Sequence, residues 1–122
     1  TDANINPSDV DHVNAQGLAT PFSDRWEAKA IHEVFGDNTP VWCLKGNIGT
    51  SGAAAGSVEL VGSTLALHHG EVPPTINCEN PDPECRILVH NNGIKTVQKP
   101  YVVKLSFTDM GQTAVAVLKK WE

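Results

Sequence analysis

One segment restricts the fold more than any other. Between the glycine-rich stretch 46–52 and Gly70, residues 51 to 69 read as a helix. Its apolar residues Ala54, Val58, Leu60, Val61, Leu65 and Leu67 fall on every side. A helix with no polar face has nothing to show to water, so the pattern predicts a helix buried in a core. Ala53, Ala54, Ala55 and Gly56 are small, which predicts a close neighbour along its first turns.

The rest of the chain reads as alternating strands and helices around that segment. Val10–Ala15 predicts a short strand, and Gly17 to Pro21 a loop. Asp24 followed by Glu27 resembles a capping box, opening a helix that runs to Phe35 and stops at Gly36. Val41–Lys45 reads as a buried strand and 46–52 as a glycine-rich turn. After Pro73-Pro74 come an extended piece, 75–78, a Pro- and Asn-rich loop, 79–84, and a short strand, 86–90. Tyr101–Phe107 alternates in polarity, and Thr113–Leu118 is β-rich, so the pair predicts a hairpin. The order implies an α/β fold with a mixed five-stranded sheet, the two long helices crossing between parallel strands. Residues 1–9 are polar and read as a linker remnant, leaving residues 10–122 as one domain.

Charge and cysteine usage exclude several functions. The net charge is −5 and the nine Lys and Arg residues are scattered. Nucleic-acid binding needs clustered cations to displace counterions, so it is not expected. The three cysteines, Cys43, Cys78 and Cys85, are odd in number and lack Cys-x-x-Cys spacing. That predicts free thiols rather than a disulfide framework or zinc site, with Cys43 the most buried. His12, His32 and His90 stand apart from one another, and no metal or other cofactor is expected. No apolar run approaches the roughly 20 residues that cross a membrane. Thr1 to Asp9 lacks a signal-peptide core, and the expected location is the cytoplasm.

Several segments, in order and at matching spacing, resemble the C-terminal half of β-ketoacyl-[acyl carrier protein] synthases, which have the thiolase fold. They are Val13-Asn14-Ala15, Gly17, Thr20-Pro21, Asp24 and Glu27, then Lys45, Gly49, Ala54-Ala55-Gly56 and Glu59. The Pro73-Pro74-Thr75-Ile76-Asn77 run and the 79–85 stretch, Glu-Asn-Pro-Asp-Pro-Glu-Cys, follow. Ser106-Phe107 and Gly111 lie near the end. The resemblance implies a pseudo-twofold pair of βαβαββ halves, of which this chain is the second. It also implies that the nucleophilic cysteine belongs to the first half. Cys85 sits where the family often has a cysteine without catalytic use.

The residues that the resemblance assigns to catalysis are altered. The family's Asn-Ala-His-Gly-Thr reads Asn14-Ala15-Gln16-Gly17-Leu18, placing Gln16 at the first catalytic histidine. Lys-Ser-x-x-Gly-His reads Lys45-Gly46-Asn47-Ile48-Gly49-Thr50, placing Thr50 at the second. Condensation decarboxylates a malonyl thioester, and the enolate oxygen needs donors aimed at it; losing one such donor costs about 10²–10³ in rate. A Gln amide can donate a hydrogen bond, but neither Gln nor Thr transfers protons near neutral pH. His68 and His69 lie a full helix away, at its negative end. Lys45 and Glu59 are retained, and the resemblance implies that they pair beside the site. The family's Asn-Ser-Phe-Gly-Phe-Gly-Gly reads Leu105-Ser106-Phe107-Thr108-Asp109-Met110-Gly111, with Asp109 in place of a gating phenylalanine. That predicts an altered loop, and a carboxylate where an acyl chain would enter.

The expected function is therefore a non-catalytic ketosynthase-like domain. It would be a structural or partner subunit of fatty acid or polyketide synthesis, similar in logic to chain-length factors. The chain alone is expected to be inactive. The alternative is a fragment of an active 3-oxoacyl-[acyl carrier protein] synthase, an acyltransferase whose nucleophilic cysteine lies in a missing N-terminal half. A third option is a binding module for an acyl or pantetheine group, lined by Thr20 and the 46–52 loop. Expected partners are the missing half or a ketosynthase subunit, with acyl carrier protein as a further candidate. Exposed apolar surface predicts a symmetric homodimer.

Overall fold

A computed structural model describes residues 3–121. Thr1 and Asp2, at the start of the expected linker, and Glu122 lie outside the described residues. Within the segment read as linker, Pro7–Asp9 form a single 3-10 turn, where the Asn6 amide donates to the Asp9 carboxylate (2.9 Å).

The core is a five-stranded sheet in the order β4-β2-β1-β6-β7. Its strands are β1 (Val10–Asn14), β2 (Pro40–Trp42), β4 (Leu88–Val89), β6 (Tyr101–Phe107) and β7 (Thr113–Lys119). The first four run parallel, and β7 returns antiparallel to β6 through a tight turn. β3 (Glu71–Val72) and β5 (Lys95–Thr96) form a separate antiparallel pair. The mixed sheet, the crossover helices and the hairpin match the sequence reading. The small β3–β5 pair was not foreseen, because two-residue strands carry no periodicity.

Central position explains β1. All five of its residues are buried, because β2 and β6 flank it and helices cover both faces. On one face Val13, Val41 and Val103 meet Ile31 of α1 (Pro21–Phe35). On the other, Trp42 meets Ala66 of α3 (Ala55–His69) and Val72. Asn14 also points to the α3 face and donates to the Glu59 carbonyl (2.9 Å) and the Ser63 hydroxyl (2.8 Å). Asp11 anchors the loop after β5: its carboxylate accepts from Lys95 (2.6 Å) and from the Gln98 amide (2.7 Å).

Three sequence expectations change. The first helix opens at Pro21, with Thr20 as N-cap accepting from the Ser23 amide (3.4 Å), so Asp24 and Glu27 are not a capping box. Proline suits the first helical position, where its missing N–H is unneeded. The strand read as 41–45 ends at Trp42, and Lys45–Ile48 form one helical turn, α2, which takes the last residue of that expected strand and the start of the expected glycine turn. Finally, α3 is buried on one face only. Glu59, Ser63, Ala66 and Leu67 are buried, while Val58, Val61 and Leu65 are exposed. A single sheet layer covers only a stripe of a helix, and nothing among the described residues covers the opposite side. The close approach foreseen for its first turns is present. A Cβ on Gly56 would stand 2.9 Å from the Ser106 hydroxyl, and one on Gly62 2.7 Å from Leu44.

Candidate functional site

The site lies at the C-terminal ends of β1 and β2, where parallel α/β sheets place ligands. β1 ends at Asn14, yet its pairing with β6 continues through a side chain. The Gln16 amide oxygen accepts from the Phe107 N–H (2.6 Å), and its nitrogen donates to the Phe107 carbonyl (2.7 Å). The Ser106 hydroxyl also donates to the Gln16 oxygen (3.1 Å). The side-chain amide thus substitutes for a peptide group and binds β6 as another strand would. Gln16 is buried, and its oxygen is committed to the protein itself.

Glu27, one α1 turn beyond Ser23, supports the same corner. Its two carboxylate oxygens accept from the amides of Gln16 (2.6 Å) and Gly17 (2.9 Å). Burial pushes the Glu27 carboxyl up, while those two amides work to hold it down. Gly17 has φ +51° and touches Cys43 so closely that a Cβ would lie 2.4 Å from its sulfur. Glycine is required there on both counts.

The expected Lys45–Glu59 ion pair is present, and Lys45 also donates to the Gln16 carbonyl (2.7 Å). A second lysine joins them. Lys104, on β6, reaches the other Glu59 oxygen at 2.6 Å and caps the carbonyls of Ala15 and Leu105. Glu59 and Lys104 are 1% and 3% exposed, so neither charge has water to rely on. Burial lowers the Lys104 pKa, and the Glu59 contact opposes that shift. Lys104 escaped the sequence reading. The signal was there: Tyr101, Val103, Leu105 and Phe107 share one face of β6, so Lys104 must point at the opposite face, toward the helix that carries the lone Glu59.

Thr50 is exposed beyond α2, and its hydroxyl accepts only from the nearby Gly52 amide (3.4 Å). Of the four residues singled out, Gln16, Lys45 and Glu59 come together, while Thr50 lies at the rim. Gly46 stands beside a tight approach, since a Cβ there would lie 2.6 Å from the Ile76 carbonyl oxygen. The segment that follows Pro73-Pro74 therefore occupies the space of a side chain. Asp109 is exposed in the turn between β6 and β7. Thr108 closes that turn: its amide donates to the Gln112 carbonyl (2.9 Å) and its hydroxyl to the Gln112 side chain (2.8 Å).

A cleft of about 640 Å³ opens beside these groups, lined in part by Gly17, Ala28, Val41, Lys45, Thr50 and Ile87. Gly46 and Gly49 line it, but Thr20 caps α1 instead. Cys43, Cys78 and Cys85 also border it as free, half-buried thiols. Burial raises the pKa of each, which keeps them protonated and poorly nucleophilic. Asp24 lines the cleft with its carboxyl pushed up by burial. His68 and His69 are exposed in the last turn of α3, far along the helix from Glu59. Among the described residues, no His, Cys, Asp or Glu group has the arrangement to hold a metal. No helix among them is long and apolar enough to cross a membrane.

Comparison with known proteins fits this geometry. Residues 1–79 match the family described as beta-ketoacyl synthase, C-terminal domain. The 3-oxoacyl-[acyl-carrier-protein] synthase 2 of Staphylococcus aureus is 36% identical over 99% of this chain and 30% of its own length. The ishigamide ketosynthase/chain length factor superimposes with a TM-score of 0.93 at 30% identity, covering 99% of this chain and 30% of that one. A type II polyketide ketosynthase in complex with its acyl-carrier protein, AntDE:AntF, gives 0.91 at 33% identity, with the same coverage. The chain spans less than a third of the length of the curated relatives it matches.

Proposed function

The chain belongs to the β-ketoacyl synthase family, as the C-terminal ketosynthase half of the thiolase fold, and we propose that it serves there as a non-catalytic domain. In this reading it is a structural or partner subunit, comparable to a chain-length factor, in fatty acid or polyketide synthesis. One observation carries the proposal: the Gln16 amide is bonded into the Phe107 backbone. Decarboxylation of a malonyl thioester places negative charge on the thioester oxygen, and rate comes from donors already aimed at that oxygen. Here the candidate donor is occupied by β6, Thr50 is at the rim, and no imidazole stands at either position. Lys45 and Lys104 share the Glu59 carboxylate and hold the ends of β1 and β6 in place.

The uncovered apolar face of α3 supports a large covalent or subunit partner. Val58, Val61 and Leu65 would seat the rest of a full-length ketosynthase chain or a separate ketosynthase subunit. Acyl carrier protein is the proposed substrate-bearing partner of the assembled protein. The test is release of labelled carbon dioxide from malonyl-carrier protein by the full natural polypeptide. The expected result is release at the uncatalysed rate; turnover typical of active relatives would refute the reading.

A second reading, a fragment of an active 3-oxoacyl-[acyl carrier protein] synthase, draws support from the intact Lys45–Glu59 pair and the chain's partial coverage of its relatives. It requires a nucleophilic cysteine upstream of Thr1. Mass spectrometry of the natural polypeptide after acylation would show an acyl-cysteine in that part if this reading holds, and none if the first does.

A further inference from the structure

We infer that the outer face of α1 is a docking surface for an amphipathic, acidic helix of a partner protein. The inner face of α1 is accounted for: Glu27, Ala28 and Ile31 are buried, and Asp24 borders the cleft. The outer face is not. Phe22, Trp26, Ala30 and Val34 recur every four residues and are all exposed, Phe22 by 75%, Trp26 by 57% and Val34 by 56%. Residues at that spacing form a ridge about 18 Å long, at the usual helical rise. Single exposed apolar residues are ordinary, but a continuous row headed by two aromatics marks a binding surface.

A groove of about 750 Å³ runs beside the head of this ridge, between α1 and the chain at 84–86. Arg25 fixes its far wall by reaching Glu84 (2.6 Å) and Asp82 (3.2 Å). Phe22 and Trp26 meet edge to face with ring centres 6.2 Å apart, and the Lys29 ammonium lies 5.3 Å from the Trp26 ring centre. These contacts order the aromatic pair before a partner arrives, which lowers the entropy lost on binding. Trp and Arg carry much of the energy at protein interfaces, and both arginines of the chain, Arg25 and Arg86, border this groove.

Ridge and charge together define the occupant. A ridge of every-fourth residues packs into the matching groove of a second helix. Arg25 is matched by its two carboxylates, whereas Lys29 and Arg86 have no carboxylate partner among the described residues. The lining holds Arg25, Lys29 and Arg86 against Glu33 and Glu84, so it is locally positive in a chain of net charge −5. A helix with an apolar stripe flanked by Asp or Glu answers both features, while a basic one would be repelled by Lys29 and Arg86. The cleft lies on the opposite face of α1, so this inference does not depend on whether the site is catalytic.

The test uses the full natural polypeptide and three dye-labelled synthetic peptides of roughly 18 residues, about five helical turns, read by fluorescence anisotropy. The first is an amphipathic helix with leucine along one stripe and glutamate beside it. The second has lysine for every glutamate. The third is the first with a central proline, which breaks the helix. The expected result is that the first binds about tenfold or more tighter than the other two. Trp26→Ser should weaken that binding by about tenfold or more. Lys29→Glu combined with Arg86→Glu should exchange the preference, so that the lysine peptide binds tighter than the glutamate peptide. Lys99→Glu, in the loop after β5, should change neither. Failure of the parent polypeptide to bind the glutamate helix would overturn the inference. So would equal binding of the proline-broken peptide, undiminished binding by Trp26→Ser, or a charge-reversed variant that keeps the parent's preference. If Trp26→Ser fails to fold, the charge exchange decides alone.

Discussion

At the scale of single residues, Glu59 governs the site. Its two oxygens face Lys45 and Lys104, and Glu59 and Lys104 sit where water cannot replace a lost partner. Removing one member of such a buried set leaves an uncompensated charge, which costs about 3–5 kcal/mol. Glu59→Gln should therefore lower unfolding stability by roughly that amount in urea titration. The double variant Glu59→Gln, Lys104→Met should recover part of the loss, because it removes a charge as well as a partner. No recovery would mean that Lys104 is not part of the network. The sequence disclosed half of this arrangement. A lone glutamate on an apolar helix demands a counter-charge, and Lys45 was the evident one. Lys104 was missed because its strand was read for the face that alternates well, not for the residue pointing the other way. The role of Gln16 was legible as a lost imidazole but not as a surrogate peptide. That role depends on β1 stopping two residues earlier than β6 requires, which is a tertiary fact.

At the scale of elements, periodicity worked where an element is long and failed where it is short. β6 matched the reading to the residue and β7 to within one, because seven alternating positions and a Thr108–Gln112 turn leave little choice of register. α2, β3 and β5 are too short to carry a pattern. The helix apolar on all sides was read as buried, and half of that expectation is met; the chain supplies only one of the two layers such a helix calls for. Gly46 tests how tightly these pieces interlock. A methyl group there would meet the backbone oxygen of Ile76, which cannot swing aside as a side chain can. Gly46→Ala should cost about 1–3 kcal/mol in thermal or urea unfolding, the usual range for overpacking. A neutral result would show that the 73–77 segment moves freely against α2.

At the scale of the whole molecule, the proposed non-catalytic reading sets kept and altered parts in different places. The sheet, α1, α3 and the Glu59 network keep the ketosynthase half, whereas the departures from the family pattern fall at Gln16, Thr50 and the 108–112 turn. On that reading, placing imidazoles at both positions should not by itself confer decarboxylation. Gln16→His strips the Phe107 N–H and C=O of their partner, and Asp109 still stands in the turn. The full natural polypeptide carrying Gln16→His and Thr50→His is expected to release carbon dioxide at the uncatalysed rate and to unfold about 1–3 kcal/mol more easily. A tenfold rise in release would show that the two substitutions alone silence the site. The Gln16–Phe107 clasp has one more consequence. The Phe107 amide proton is guarded by a side chain rather than by a neighbouring strand, so its exchange with deuterium reports the rotamer of one glutamine. Any molecule that entered the cleft and recruited that glutamine would unmask this proton, making it a built-in spectroscopic sentinel for occupancy.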